Sequence, residues 1–463
     1  MKAGINRRQF IKISGLGAAF LTMGGSLKAG GFGDGRSQRV HPQPVRQAQG
    51  SASFEAATRT HSLKPNIVLI MADDLGYECL GCYGSKSYKT PVLDKLARTG
   101  MRFEHCYSQP LCTPSRVKIM TGQYNFRNYV NFGVLDTKQK TFGHLLQGCG
   151  YTTCVVGKWQ LYGSVNQSAE FRGTGSLPGQ AGFDEHCLWQ ITDRGSRYKD
   201  PVMVQNGKTL DGLEGKYGPD VSCDYALNFI ERHKTGPFLL YFPMALVHSP
   251  FVPTPDSKDW GKDNHKNNTK YFADMVAYMD KIVGRIVTKL DELGLRENTL
   301  VLFTGDNGTA RNIRSKMANQ VIRGGKGRTT DAGTRVPLIA NQPGVIPAGK
   351  VCGDLVDFID FVPTFAEFAG TEIPDDMTID GRSFLSRLRG EKGNPREWIF
   401  CHYDPRWGNR KKRRFVRDKR WKLYANGELY DVPADTLEQN PNPSGPEAVA
   451  ARKRLQAVLD SII

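Results

Sequence analysis

Gln109-Pro110-Leu111-Cys112-Thr113-Pro114-Ser115-Arg116-Val117-Lys118-Ile119-Met120-Thr121-Gly122-Gln123 is the stretch on which the reading of this chain turns. Pro114 fixes its own φ and disfavours helical geometry at Thr113. After Pro114 nothing breaks a helix until Gly122. The expectation is a turn that delivers Cys112 to the entrance of a short helix. The unpaired N–H groups and positive dipole end of that helix would face whatever Cys112 handles, and an anion is the natural ligand. A buried free cysteine ahead of an ordinary helix would satisfy the same local pattern.

Outward from this stretch, short apolar runs alternate with helical patterns, an α/β arrangement. Asn66–Ala72 suits a strand buried on both faces and ends in Asp73-Asp74. Tyr151–Val156 is a second strand, running out into Gly157-Lys158-Trp159-Gln160. Phe238–Phe242 is a third, with His248 beyond it, and Thr299–Thr304 a fourth, ending at Gly305-Asp306-Asn307-Gly308. Helices are expected over Pro91–Thr99, with Thr90 as N-cap, and over Phe142–Gln147 and Asp224–Lys234. Over Tyr271–Leu293, Met275, Met279, Ile282, Ile286 and Leu290 recur at spacings of three and four, one buried stripe. Residues 161–215 are rich in glycine and polar residues and read as a loop-rich insertion over the site, a place for substrate contacts. Ligands of open α/β sheets collect beyond the carboxyl ends of strands, where these Asp, Lys, His and Asn residues fall. Taken singly, each has an ordinary reading as a surface charge, a solvated turn or a structural histidine.

Taken together they do not. The opening stretch resembles the type I sulfatase signature, Cys-x-Pro-Ser-Arg followed by Thr-Gly, with every fixed position filled: Cys112, Pro114, Ser115, Arg116, Thr121 and Gly122. The pattern continues in order with Asp306-Asn307, Arg323-Gly-Gly-Lys326-Gly327 and Ala332-Gly-Thr-Arg-Val-Pro337. The resemblance covers roughly residues 65–440. It implies a large mixed, mostly parallel sheet flanked by helices, of the alkaline-phosphatase-like kind. It also implies that Cys112 is oxidised by a separate maturation enzyme to formylglycine, whose hydrate is the nucleophile. A thiol attacking sulfur would form an ester with no easy exit, whereas a gem-diol can attack with one hydroxyl and expel sulfate through the other. By the same resemblance Asp73, Asp74, Asp306 and Asn307, with position 112, hold a divalent cation. Hard oxygen donors favour Ca²⁺ or Mg²⁺ over zinc, and the family favours Ca²⁺. Arg116, Lys158 and Lys326 would surround the sulfate, Asp306 could accept a proton, and His248 would protonate the leaving alcohol. Gln160 departs from the pattern, because the family usually has histidine there. An amide orients a hydroxyl but cannot take its proton. His105, near Cys112 in sequence, is a weak substitute.

Asp357–Ala369 reads as a helix. Beyond Gly390 the composition shifts towards short strands at Trp398–Tyr403, Arg414–Asp418, Trp421–Tyr424 and Glu428–Val432. Asn426-Gly427 would be a hairpin turn, and a helix follows from Pro446 to Ile463. The divisions are therefore 1–29, 30–64, 65–390 and 391–463: leader, linker, α/β catalytic domain and C-terminal subdomain. His402, Arg406 and Trp407 are candidates to touch a sugar. Arg410–Arg414 is the densest basic run, either a solvated face or a hold for neighbouring sulfates.

The 463 residues carry a net charge of +17, which points to an anionic partner. No zinc-finger, helix-turn-helix or aromatic RNA-binding pattern favours nucleic acid, and a sulfated polyanion accounts for the charge better. Asn6-Arg7-Arg8-Gln9-Phe10-Ile11-Lys12 resembles the twin-arginine motif, followed by a short Gly/Ala-rich apolar stretch. Export through the twin-arginine (Tat) machinery of a bacterial-type cell is expected, to the periplasm or outside, with no membrane-spanning segment. Residues 30–64 are polar and glycine-rich, as a disordered linker would be. Ten cysteines leave an odd nine once Cys112 is modified, so no full disulfide framework is expected, and the Cys79–Cys82 pair reads as packing. The expected function is removal of sulfate from a sulfated polysaccharide or oligosaccharide. The rivals are a phosphodiesterase or phosphonate hydrolase of related fold, and a non-catalytic polyanion binder.

Overall fold

A computed structural model describes residues 64–262 and 266–462. The expected leader, and all but the last residue of the expected linker, lie outside the described residues.

The sheet runs are, in chain order, β1 (Asn66–Ala72), β2 (Met101–Tyr107), β3 (Thr152–Lys158), β4 (Glu185–Trp189), β5 (Val204–Gln205), β6 (Lys208–Thr209), β7 (Phe238–Pro243) and β8 (Thr299–Gly305). Then follow β9 (Arg314–Lys316), β10 (Val321–Arg323), β11 (Arg335–Asn341) and β12 (Lys350–Asp357). Ten of these form one sheet in the order β12-β2-β11-β8-β1-β7-β3-β4-β5-β6. β8, β1, β7, β3 and β4 are mutually parallel. β11 runs antiparallel between β8 and β2, so β2 and β12 share the direction of the parallel set.

The helices are α1 (Pro91–Arg98), α2 (Cys112–Thr121), α3 (Asn125–Asn128), α4 (Phe142–Gly148), α5 (Gly218–Arg232), α6 (Phe272–Glu292), α7 (Asp331–Thr334), α8 (Phe361–Phe368), α9 (Leu385–Leu388) and α10 (Pro446–Ile462). The period of two along β1 explains their placement. Ile67, Leu69 and Met71 enter one core with Val117 and Ile119 of α2, Phe142 of α4 and Phe365 of α8. Val68, Ile70 and Ala72 enter the other with Leu93 of α1, Phe229 of α5 and the methionine stripe of α6. A run apolar at every position is therefore a strand with helices on both faces.

A second, four-stranded antiparallel sheet follows: β13 (Ile399–Tyr403), β14 (Arg413–Arg417), β15 (Trp421–Tyr424) and β16 (Leu429–Asp431). Its turn at Asn426-Gly427 closes with Gly427 at φ 88, and α10 packs Leu455 and Leu459 against Val416 and Leu423. The fold class expected from the sequence is the one observed.

Three details differ from the sequence reading. The insertion at 161–215 contributes β4, β5 and β6 to the main sheet, and β2, β11 and β12 complete its other side. Charged residues interrupt the apolar pattern of β2 and β12. Thr90 precedes α1 but does not cap it; its hydroxyl donates to Asp94 Oδ1 at 3.1 Å. The free N–H groups of Val92 and Leu93 are instead accepted by the Asp280 carboxylate of α6, both at 2.9 Å. Thr113 is helical despite the following proline, because α2 already starts at Cys112 and places Pro114 in its first turn. The cysteines agree with the sequence reading: all ten are free, and Cys79 packs against the Thr309 hydroxyl.

Candidate active site

The opening stretch builds one wall of the site. Cys112 is the first residue of α2, and Arg116, four residues on, shares its face. The Ser115 hydroxyl donates to Gln109 O and accepts from Gln109 N, both at 3.0 Å, locking the entering loop to the helix. Thr121 Oγ1 donates to Val117 O at 2.7 Å, and Gly122 ends the helix at φ 67, where a Cβ would press on Val362. Cys112 and Arg116 thus carry the chemistry, and the remaining motif residues hold them.

The other walls come from the carboxyl ends of four neighbouring parallel strands, β8-β1-β7-β3. β1 delivers Asp73 and Asp74, β8 Asp306 and Asn307, β3 Lys158 and Gln160, and β7 the segment reaching His248. Asp74 adopts a left-handed φ of 60, which aspartate tolerates. Its backbone N–H donates to Asp306 Oδ1 at 3.0 Å, and Asn307 Nδ2 donates to Asp74 Oδ1 at 2.9 Å, tying the two strand ends together.

Lys326 arrives from a loop of closely stacked glycines. Gly308 N donates to Gly333 O, and Gly325 N to Ala332 O, with no room for a Cβ at either donor. Gly327 N donates to Pro110 O at 2.7 Å, joining this loop to the one before Cys112.

The charges interlock. Lys158 Nζ lies 2.7 Å from Asp73 Oδ2, Lys326 Nζ 2.6 Å from Asp74, and Arg116 Nη2 3.2 Å from Asp306 Oδ2. His248 Nε2 lies 3.7 Å from Asp74 Oδ2. Burial would raise the Asp73 carboxyl, but Lys158, His248, Arg116 and Lys326 hold it well below the usual range. Burial and the neighbouring Asp73 push Asp306 up to about 7 despite Arg116. Burial also raises the Cys112 thiol against the pull of Lys158 and Lys326, so the unmodified side chain is a poor nucleophile. His248 is pushed down to about 3 by burial and Lys326.

Two buried oxygens, Asp73 Oδ1 and Asn307 Oδ1, have no hydrogen-bond partner among the described residues. Ligand atoms of Asp73, Cys112 and Asp306 all lie within 4.8 Å of one another. Orphaned oxygens among three carboxylates fit a hard divalent cation.

Cys112, Gln160 and His248 line a cavity of about 240 Å³. Lys158, Lys326, Arg194, Arg197 and Arg410 line it, and no carboxylate does among the described residues.

The cysteine, the acidic strand ends and the lysine-bearing glycine loop are the parts of one family's site, and that family's sequence model, Sulfatase, matches residues 65–371. The chain belongs to the sulfatase family. A second model, N-sulphoglucosamine sulphohydrolase, C-terminal, matches residues 326–462 of this sulfatase. Steryl-sulfatase of Mus musculus is 30% identical, over 73% of this chain and 67% of its own. N-acetylgalactosamine-6-sulfatase of Canis lupus familiaris is 32% identical, over 70% and 66%. The solved structure of Ps i-CgsB in complex with k-i-k-neocarrahexaose superposes with a TM-score of 0.72 at 27% identity, covering 86% of this chain and 92% of that one. The activity is that of a sulfuric ester hydrolase.

The sugar contacts suggested by the sequence divide. Trp407 lines the cavity, stacked on Phe132 with ring centroids 4.7 Å apart. Arg406 does not line it; its Nη1 donates to Val130 O at 2.5 Å. His402 does not either, being buried on β13 beside Phe126. His105 is no substitute for the missing histidine: it sits on β2 near Tyr107, away from the cavity lining, with burial and Arg335 pushing it down to about 4. Within the basic run, Arg410 reaches the cavity, while Lys412 pairs with Asp404 at 3.6 Å. The sequence reading missed Phe132, Gln190, Arg194 and Arg197. Arg194 and Arg197 lie in the insertion already marked for substrate contacts.

Proposed function

We propose that this sulfatase removes sulfate from a sulfated carbohydrate, with Cys112 matured to formylglycine and a divalent cation, Ca²⁺ before Mg²⁺, at the acidic strand ends. The observation that carries the reading is the cavity lining: five cations, no carboxylate, and the Trp407–Phe132 stack at its side. Such a pocket suits a polyanionic ligand with a flat, partly apolar ring face. The twin-arginine motif supports an exported protein, with Tat machinery and a maturation enzyme as its partners.

Asp73, Asp74, Asp306 and Asn307 would hold the cation, which supplies Lewis-acid polarisation of a bound sulfate. Formylglycine at position 112 would supply a hydroxyl that attacks sulfur and a second through which sulfate is expelled. The remaining work belongs to the chain's own side chains. Lys158 and Lys326 each spend one N–H on a carboxylate and keep others for sulfate oxygens. Arg116, fixed by Asp306 and by Lys158 O at 3.2 Å, adds charge at the same point. The first turn of α2 presents its free N–H groups there. Asp306 accepts a proton from the attacking hydroxyl. Gln160 Oε1, 3.4 Å from Cys112 Sγ, orients the group at position 112. His248, which lines the cavity with its Nε2 3.7 Å from Asp74 Oδ2, would donate to the departing alcohol.

The test is sulfate release from sulfated oligosaccharides, compared with 4-nitrophenyl sulfate and the corresponding phosphate monoester and diester. Saccharide sulfate released in preference to phosphate supports the reading. Preference for the phosphorus esters, or tight glycan binding without release, replaces it.

A further inference from the structure

Arg197 is a buried cation that the mechanism above leaves without a role. It is 6% exposed, on the connection between β4 and β5. Its guanidinium carbon lies 4.0 Å from the centre of the Trp189 ring. Trp189 is the last residue of β4 and is paired in register with Lys158 on β3. Arg197 Nη1 is buried with no hydrogen-bond partner, and no carboxylate pairs with the side chain among the described residues. Arg116, Lys118, Lys158, Arg396 and Arg417 are buried to a similar degree, and each has a carboxylate partner. A buried charge with no carboxylate paired to it is unfavourable, and a bound anion relieves it.

The position is held firmly. Tyr198 Oη donates to Ala245 O at 2.9 Å and to His248 O at 2.5 Å, fixing the loop to the segment that carries His248. Gly218 N donates to Tyr198 O and Val202 N to Ser196 O, closing the loop on both sides. Arg197 lines the same cavity as Cys112, Lys158, His248 and Lys326. The sulfate that reacts is already served by Lys158, Lys326 and Arg116, so a further guanidinium stacked on Trp189 is available to a different group. A planar fork held on an indole suits bidentate recognition of a carboxylate or sulfate.

We propose that Arg197 binds a second anionic group of the substrate, a carboxylate or another sulfate, beside the ester that is cut. The proposal rests on the reading of the cavity as a sulfate-ester site. Arg197→Met and Arg197→Lys, each checked for folding by thermal unfolding, would be compared on three oligosaccharides. One carries a second sulfate, one a carboxylate in its place, and one neither; 4-nitrophenyl sulfate is the fourth substrate. Arg197→Met is expected to lower the ratio of kcat/KM for a doubly anionic over the singly sulfated oligosaccharide by about ten- to a hundredfold, chiefly through KM. Arg197→Lys retains part of that preference. The doubly anionic substrate that suffers identifies the group. An equal fall on all four substrates would assign Arg197 to the reacting sulfate or to the fold, and no fall on any would make it a packing strut; either overturns the proposal. Calorimetry of the same oligosaccharides with Cys112→Ala protein, with and without Arg197→Met, reads the discrimination without turnover. If that protein with Arg197 intact binds all three equally, the proposal fails whatever the reaction proves to be.

Discussion

Cys112 Sγ lies 3.4 Å from Gln160 Oε1, at a position where the sulfatase resemblance implies histidine. Gln160 has a left-handed φ of 54, a conformation that histidine also accepts. A side-chain amide cannot take a proton, and general base assistance is worth about 10²–10⁴-fold. Gln160→His is therefore expected to raise kcat on 4-nitrophenyl sulfate about tenfold or more. An unchanged kcat would mean that proton removal at position 112 does not limit turnover.

The acidic strand ends predict a dependence on divalent cations. Ca²⁺ at a hundred times its Kd should stabilise the protein by about 2.7 kcal/mol, seen as a rise in Tm that a chelator reverses. Asp74→Asn should abolish that rise, since it weakens the cage between β1 and β8. A rise in Tm that survives in Asp74→Asn would place the ion elsewhere.

Lys326 depends on backbone packing that only glycine permits. A Cβ on Gly325 would lie 2.4 Å from the carbonyl carbon of Ala332. Gly325→Ala must shift the loop and draw Lys326 from Asp74. The expected result is a fall in kcat/KM of about a hundredfold, the effect of a displacement near 1 Å, with a lower Tm. Gly236→Ala, which meets nothing within 4 Å, serves as the control and should leave both unchanged.

Asp280 caps α1 from α6, and burial raises its carboxyl to about 6. A raised pKa in the folded state means that folding favours the protonated form. Its contribution to stability is then greatest below the unfolded value, near 4, and is lost as pH rises through about 6. The difference is at most about 3 kcal/mol. Asp280→Asn lacks this titration. The Tm of the variant minus that of the unaltered protein should therefore increase between pH 4 and pH 7. A decrease over that range would contradict the assignment.

The sequence displayed the site more fully than the sheet. Asp73-Asp74, Lys158 and Asp306-Asn307 follow apolar runs directly, so strand ends and chemistry were legible together. β2 was not, because Arg102, Glu104 and His105 interrupt its apolar positions, and only pairing with β11 and β12 makes it a strand. The antiparallel β11 begins within the Ala332–Pro337 motif, whose glycine and proline mask a sheet member. Arg197 was hidden for another reason. Its importance comes from stacking on Trp189, a contact that no local period reveals. Arg406 and Trp407 show the limit of reading neighbours as a unit, because one reaches Val130 O and the other faces the cavity.

Mass spectrometry of the peptide holding position 112 shows whether its cysteine is oxidised, on which the proposed route depends. In protein that releases sulfate, that peptide is predicted to be about 18 Da lighter than the cysteine form, the change from thiol to aldehyde that the covalent route requires. Protein that turns over sulfate esters with an unmodified thiol at Cys112 would contradict the account.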